Sequence, residues 1–148
     1  MERKFLPVNI SLLTVSDTRV LENDKSGNLL AKKIEDSGHI LLDRCIVKDE
    51  VLGIQKVSKK WINNPEIEVI ISTGGTGLTG RDVSPEAFRS LFDKEIEGFG
   101  ELFRFLSFNK IGTSTIQSRA LAGVASGTYI FILPGSPSAC KDAWDEIL

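Results

Sequence analysis

Directly after the apolar run Ile67-Glu68-Val69-Ile70-Ile71 comes Ser72-Thr73-Gly74-Gly75-Thr76-Gly77-Leu78-Thr79-Gly80-Arg81-Asp82. The β-branched run reads as a buried strand, and the chain leaves it through a loop with little side-chain bulk. Glycines there permit positive φ and let successive N–H groups approach a ligand, which makes an anion-binding concavity. Thr76 and Thr79 add hydroxyls, and Arg81-Asp82 sets a cation beside a possible metal ligand. This combination suits a polyphosphate with its Mg²⁺. The spacing is neither GxGxxG nor GxxxxGK[ST], so the dinucleotide fingerprint and the Walker loop are excluded. A tight connection between two elements uses the same residues, so the loop alone does not decide.

Three other segments carry chemistry-bearing residues: Ser16-Asp17-Thr18-Arg19, Asp49-Glu50, and Pro134-Gly135-Ser136-Pro137-Ser138. Each follows a stretch that reads as a strand. Asn9 to Val15, Ile40 to Val47, residues 67–71 and Thr128 to Leu133 are the expected strands. Between them lie helical patterns. One runs from about Ser26 to Ser37, with Leu30, Ala31 and Ile34 on its apolar face and Gly38 as the stop. The next carries Ile54, Val57 and Trp61, with Asp49 and Glu50 fitting its first turn, and Asn63-Asn64-Pro65 ends it. A third has Ser84 as N-cap and Pro85 at the first helical position, running towards Phe92. Glu97-Gly98-Phe99-Gly100-Glu101 reads as a break before an apolar helix with Leu102, Phe103 and Leu106. Residues from about Thr115 to Val124 read as helix, and the last helix starts near Ser138.

Strand alternating with helix indicates a three-layer αβα sandwich whose sheet is mostly parallel, with room for an antiparallel edge strand. We expect one domain over residues 1–148. Ligands of open α/β sheets bind outside the carboxyl ends of the strands, where all four segments would converge. Taken singly, each has a plain reading: a capped loop, a solvated first helical turn, a strand-to-helix turn. Convergence raises them together. It would join carboxylates, a guanidinium, a glycine nest and the helix N-terminus at Ser136-Pro137.

Composition narrows the function classes. The chain has 148 residues, 41% hydrophobic, and a formal net charge of −2. Lysine and arginine are scattered, which argues against nucleic acid as the main partner. Cys45 and Cys140 lie far apart and His39 is the single histidine, so a disulfide framework or structural zinc is not expected. The opening Met1-Glu2-Arg3-Lys4-Phe5-Leu6-Pro7 has no apolar stretch after its charges and does not read as a secretory signal. No window approaches the ~18 apolar residues of a membrane span. A cytoplasmic protein is expected. His39, Trp61, Trp144, Cys140 and the phenylalanines at 99, 103, 105 and 108 are read as packing, capping or subunit-contact residues.

The ordered string Thr73-Gly74-Gly75-Thr76-Gly77 with Arg81-Asp82, Pro85-Glu86, Glu97 to Glu101, Ser118-Arg119-Ala120 and Pro134-Gly135-Ser136-Pro137 resembles the MoaB/MogA molybdopterin-binding family. The resemblance runs from Val15-Ser16-Asp17 over nearly the whole chain. It implies a three-layer α/β fold that assembles as a homo-oligomer, either a trimer or a hexamer of two trimers. It also implies adenylylation of molybdopterin with Mg²⁺-ATP, or a non-catalytic pterin-binding oligomer in the same pathway. On this resemblance Asp49 and Asp82 are the catalytic and metal-binding acids. Gly74, Gly75, Thr76 and Gly77 form the nucleotide-phosphate loop, and Pro134, Gly135 and Ser136 a second ligand loop. Asp17, Arg81 and Glu101 match site-lining positions. Where adenylylating members often carry Pro-Asp-Asp or Pro-Asp-Glu, this chain has Lys48-Asp49-Glu50. It stops at Leu148 within its last helix, where relatives usually continue, so a trimer is expected ahead of a hexamer.

Overall fold

A computed structural model describes residues 5–148. The opening residues 1–4, on which the reading of the N-terminus partly rests, lie outside the described residues. Six strands form one sheet in the order β2-β1-β3-β6-β5-β4. They are β1 (Asn9–Val15), β2 (Ile40–Val47), β3 (Val69–Thr73), β4 (Lys94–Glu95), β5 (Leu121–Ala125) and β6 (Thr128–Leu133). The pairs β1·β2, β1·β3 and β3·β6 are parallel, whereas β5 and β4 close one edge antiparallel. The sheet is therefore mixed, as the αβα expectation allowed.

Five helices cover it: α1 (Lys25–Asp36), α2 (Val51–Ile62), α3 (Ser84–Arg89), α4 (Glu97–Ile111) and α5 (Pro137–Glu146). Alternation along the strands sorts side chains between two cores. One face carries Ile10 and Leu12 of β1 against Leu30 and Ile34 of α1, Phe103 of α4 and Ala143 of α5. The opposite face carries Leu13 and Val15 against Ile54 and Trp61 of α2 and Phe88 of α3. Both cores flank the same central strands, which is why β1, β3 and β6 read as nearly continuous apolar runs.

Five local expectations are corrected. Helix α2 begins at Val51, so Asp49 and Glu50 precede its first turn; Glu50 is the N-cap residue, extended at φ −135°, and its side chain makes no cap bond. The N-cap of α3 is Val83, and Ser84 is its first residue. That helix stops at Arg89, before Phe92. The segment Glu97 to Glu101 does not break the chain but opens α4. Gly100 is needed inside that helix because a side chain there would come within 2.7 Å of the Ala120 carbonyl oxygen. Finally, residues 115–124 are not a helix: a 3₁₀ turn over Gly112–Gln117 leads into β5. Ala120 and Ala122 face one core while Leu121 faces the other, the period of a strand. The two-residue β4 has no hydrophobic pattern and was not anticipated.

Candidate functional site

Thr14, Thr73 and Leu133 are hydrogen-bonded register partners at the ends of three parallel strands, and Val15 pairs with Val47 on the fourth. The segments beginning at Ser16, Lys48, Gly74 and Pro134 therefore leave the sheet along one rim. A cleft of about 300 Å³ opens there, lined by Asp49, Asp82, Gly74, Gly75 and Gly135 among others. The two acids and the first two glycines of the loop share this one cavity.

Glycine is required in the loop by both conformation and space. Gly74 has φ +103° and Gly75 has φ +71°, and a Cβ on Gly74 would come within 2.3 Å of the Val15 carbonyl oxygen. Ser84 fixes the turn from below: its hydroxyl donates to Gly74 O at 2.8 Å and its N–H to Gly75 O at 3.0 Å. A residue expected to cap a helix thus anchors the loop instead.

Asp82 accepts from the Thr79 N–H at 3.0 Å and the Thr79 hydroxyl at 2.7 Å, both through Oδ2. Those bonds, the hydroxyl's first, favour the ionised form and hold the Asp82 carboxyl below the ordinary carboxylate pKa. Asp49 is shifted the other way. Partial burial raises it, and the neighbouring charges of Asp17 and Asp82 raise it further. Asp17 also accepts the Asp49 N–H at 3.0 Å and forms an ion pair with Arg81. Arg81, 79% exposed, lies at the outer lip beside Asp17, Asp49 and Glu50.

The floor of the cleft holds residues that the sequence did not single out. Asp24 is 2% exposed and accepts from the Thr14 hydroxyl at 2.6 Å, the Gly27 N–H at 3.0 Å and Arg44 Nη2 at 3.2 Å. It caps α1 and turns that helix's N-terminus to the cleft. The pattern Asp24-x-Ser26-Gly27 carried an N-cap signal, but its contacts with Thr14 and Arg44 are tertiary. The Ser26 hydroxyl donates to Gly135 O at 2.6 Å, tying α1 to the second ligand loop.

Thr76, Gly77, Pro134 and Ser136 line a neighbouring cavity, also about 300 Å³, with Gln117 and Lys110. Ser136 caps α5, accepting from the Ala139 N–H at 3.1 Å, as expected for Ser-Pro at a helix start. Glu101 stands apart: it is exposed on α4 and lines neither cavity. Cys140 packs under the second loop against Thr73, its thiol pushed up to about 11 by burial, which disqualifies it as a nucleophile at neutral pH.

Chemically, the cleft offers two carboxylates for a cation beside the glycine loop, whose Gly74 N–H already donates to Leu133 O at 3.0 Å. Among the described residues no three His, Cys, Asp or Glu side chains are gathered as a metal cage. The Asp49–Asp82 pair instead suits Mg²⁺, which takes one or two carboxylates and completes its shell with phosphate and water. Burial first, and then the neighbouring Asp17 and Asp82 charges, disfavour the Asp49 carboxylate, and a bound cation would offset both.

The chain matches the family described as "Probable molybdopterin binding domain" over residues 11–148. It is 50% identical over 145 residues to molybdenum cofactor biosynthesis protein B of Escherichia coli K12, covering 98% of this chain and 85% of the relative. It is 44% identical over 146 residues to the protein of that name from Staphylococcus epidermidis, covering 96% and 83%. The fold superposes on a crystal structure of molybdenum cofactor biosynthesis protein B with a TM-score of 0.94 at 40% identity, over 98% of this chain and 91% of that one. With the tungsten cofactor synthesizing protein MoaB from Pyrococcus furiosus the TM-score is 0.86 at 33% identity, over 95% and 90%.

Proposed function

The chain belongs to the molybdopterin-binding family of molybdenum cofactor biosynthesis proteins, and from that premise we propose that it adenylylates molybdopterin with Mg²⁺-ATP. The observation that supports this most directly is the shared cleft. Asp49, Asp82, Gly74, Gly75 and Gly135 line one cavity at the carboxyl rim of the sheet.

In this reaction an oxygen of the pterin's terminal phosphate attacks the α-phosphorus of ATP. The bond between the α-phosphorus and the bridging oxygen breaks, and pyrophosphate leaves. The attacking phosphate is already ionised at neutral pH, so the protein needs no strong base. Its task is to bring anions together and offset their charge. Gly74 and Gly75, with positive φ and no side chain, let the ligand's phosphates reach the loop backbone. Arg81 supplies an exposed cation at the lip, exchanging Asp17 for phosphate. Asp49 and Asp82 would hold Mg²⁺, which neutralises phosphate charge when bound. The Pro134–Ser136 loop takes part in holding the pterin.

The same reading makes the chain a homo-oligomer, a trimer or two stacked trimers, working in the cytoplasm without nucleic acid or membrane. Phe105, Phe108, Ile111 and Ile116 are 69%, 53%, 54% and 79% exposed on and just after α4, an apolar surface that a neighbouring subunit would cover. Among the described residues no helix is long and apolar enough to cross a membrane.

Incubation with molybdopterin and Mg²⁺-ATP, followed by mass detection of the adenylylated pterin, tests the assignment. Product that requires Mg²⁺ is expected. Tight pterin binding without product at any Mg²⁺ level replaces the enzyme with a pterin-binding oligomer. ATP binding that pterin neither accompanies nor competes with replaces both with a nucleotide module.

A further inference from the structure

The glycine loop has an unsupported outer half. Leu78, Thr79, Gly80 and Arg81 are all exposed, so packing cannot set their course. Hydrogen bonds must do so; beside the Arg81–Asp17 ion pair at the lip, those that reach the loop backbone around this half come from Arg119. The Arg119 guanidinium, at the entry to β5 and 24% exposed, donates from Nε to Gly77 O at 2.8 Å and from Nη2 to Asp82 O at 2.6 Å. Its Nη1 meets the Glu86 carboxylate on α3, and its backbone N–H donates to Thr76 O at 3.2 Å. One side chain therefore ties both ends of the loop to the sheet and to the helix that follows.

We infer that Arg119 is a positioning residue that sets the shape of the phosphate loop and the aim of Asp82, with Glu86 as its counter-charge. The inference rests on the nucleotide reading for its functional consequence and on geometry alone for the brace. Only a guanidinium can serve here. Its five donors are spread over three nitrogens in a rigid plane, so widely separated acceptors are met in fixed directions, whereas an ammonium's three donors radiate from one nitrogen on a flexible stem. The bonds to Gly77 O and Asp82 O fix the backbone on either side of Thr79. The Thr79–Asp82 turn, closed by Asp82 N donating to Thr79 O at 3.0 Å, is then held as a rigid piece. Asp82 is presented to the cleft by a backbone that Arg119 grips directly. The residue itself lines no part of that cleft, so it acts through the loop.

The test compares Arg119→Met and Arg119→Lys with the parent chain in two measurements. In the absence of ligand, amide hydrogen exchange at Gly77, Thr79 and Asp82 should accelerate at least about tenfold in Arg119→Met, with Arg119→Lys between it and the parent. Protection in β1, β3 and β6 should stay unchanged. The dissociation constant for Mg²⁺-ATP should rise by a similar factor, with pterin affinity held within about twofold. Exchange that is unchanged in the loop, or that rises uniformly through the sheet, overturns the brace. If Arg119→Met does not fold, Arg119→Lys and Glu86→Gln carry the measurement, the latter with a smaller rise confined to the loop. A parent chain that binds no Mg²⁺-ATP refutes the nucleotide reading, while the exchange data still decide the brace.

Discussion

Replacing the two site acids by their amides should move stability in opposite directions while both changes remove adenylyl transfer. In Asp82→Asn, the two Thr79 bonds at 3.0 and 2.7 Å lose their ionised acceptor. The amide oxygen keeps weaker versions of them. With the screening expected of a partly exposed group, the loss is about 0.5–1.5 kcal/mol. For a chain of this size that lowers the melting temperature by about 1–6 °C. In Asp49→Asn the balance reverses. Burial together with the charges of Asp17 and Asp82 disfavours the Asp49 charge, and outweighs the Asp17 backbone hydrogen bond and the Arg81 charge that favour it. Removing that charge should leave stability unchanged or raise it by up to about 0.5 kcal/mol. The pH dependence separates the two further. Asp82 has a depressed value, so its contribution is present above the ordinary 3.8 and is lost as pH falls through the folded value. Asp49 has a raised value, so its ionisation costs stability as pH rises from 3.8 through the folded value. Each amide should abolish its own slope. Thermal melts between pH 3 and 8, alongside single-turnover product assays, provide the readout. If Asp49→Asn loses more than about 1 kcal/mol, or if both variants destabilise alike, the reading of Asp49 as a strained ligand acid is wrong.

Three further outcomes follow from other parts of the molecule. Phe105→Glu combined with Phe108→Lys should yield monomer in sedimentation at micromolar concentration with the fold intact by circular dichroism, because both rings are exposed on α4; unchanged assembly would place the interface elsewhere. Gly74→Ala should destabilise by about 2 kcal/mol or more and abolish Mg²⁺-ATP binding measured by calorimetry, since the new Cβ meets the Val15 backbone at a φ of +103°. Cys140, buried with its thiol pushed up to about 11, should resist iodoacetamide at pH 8 in the native state and react once the chain is unfolded, as peptide mass mapping would show.

What the sequence disclosed about this site is the part that neighbours in the chain determine. Strands β1, β2 and β6 were legible because β-branched runs end in polar turns, and the rim followed from the rule for parallel sheets. The misread elements are those where a distant group decides. Gly100 looks like a helix breaker until the Ala120 carbonyl is seen to occupy the space a side chain would need. Ala120 to Ala125 lacks the bulk of a typical strand. Gly123 is required there because the Phe92 ring lies within 2.4 Å of where its Cβ would stand. The same division runs through the functional residues. Asp49, Asp82 and the glycines announce themselves by type and by position at a strand end. Asp24 and Arg119 do not, since a buried aspartate and a half-buried arginine acquire meaning only from what they grip. Arg119 reaches Asp82 across 37 positions and Gly77 across 42. A loop rich in glycine has no packing of its own to hold a shape, so its geometry has to be imposed from elsewhere in the fold. The residues that impose it are therefore the ones that local reading is least able to find.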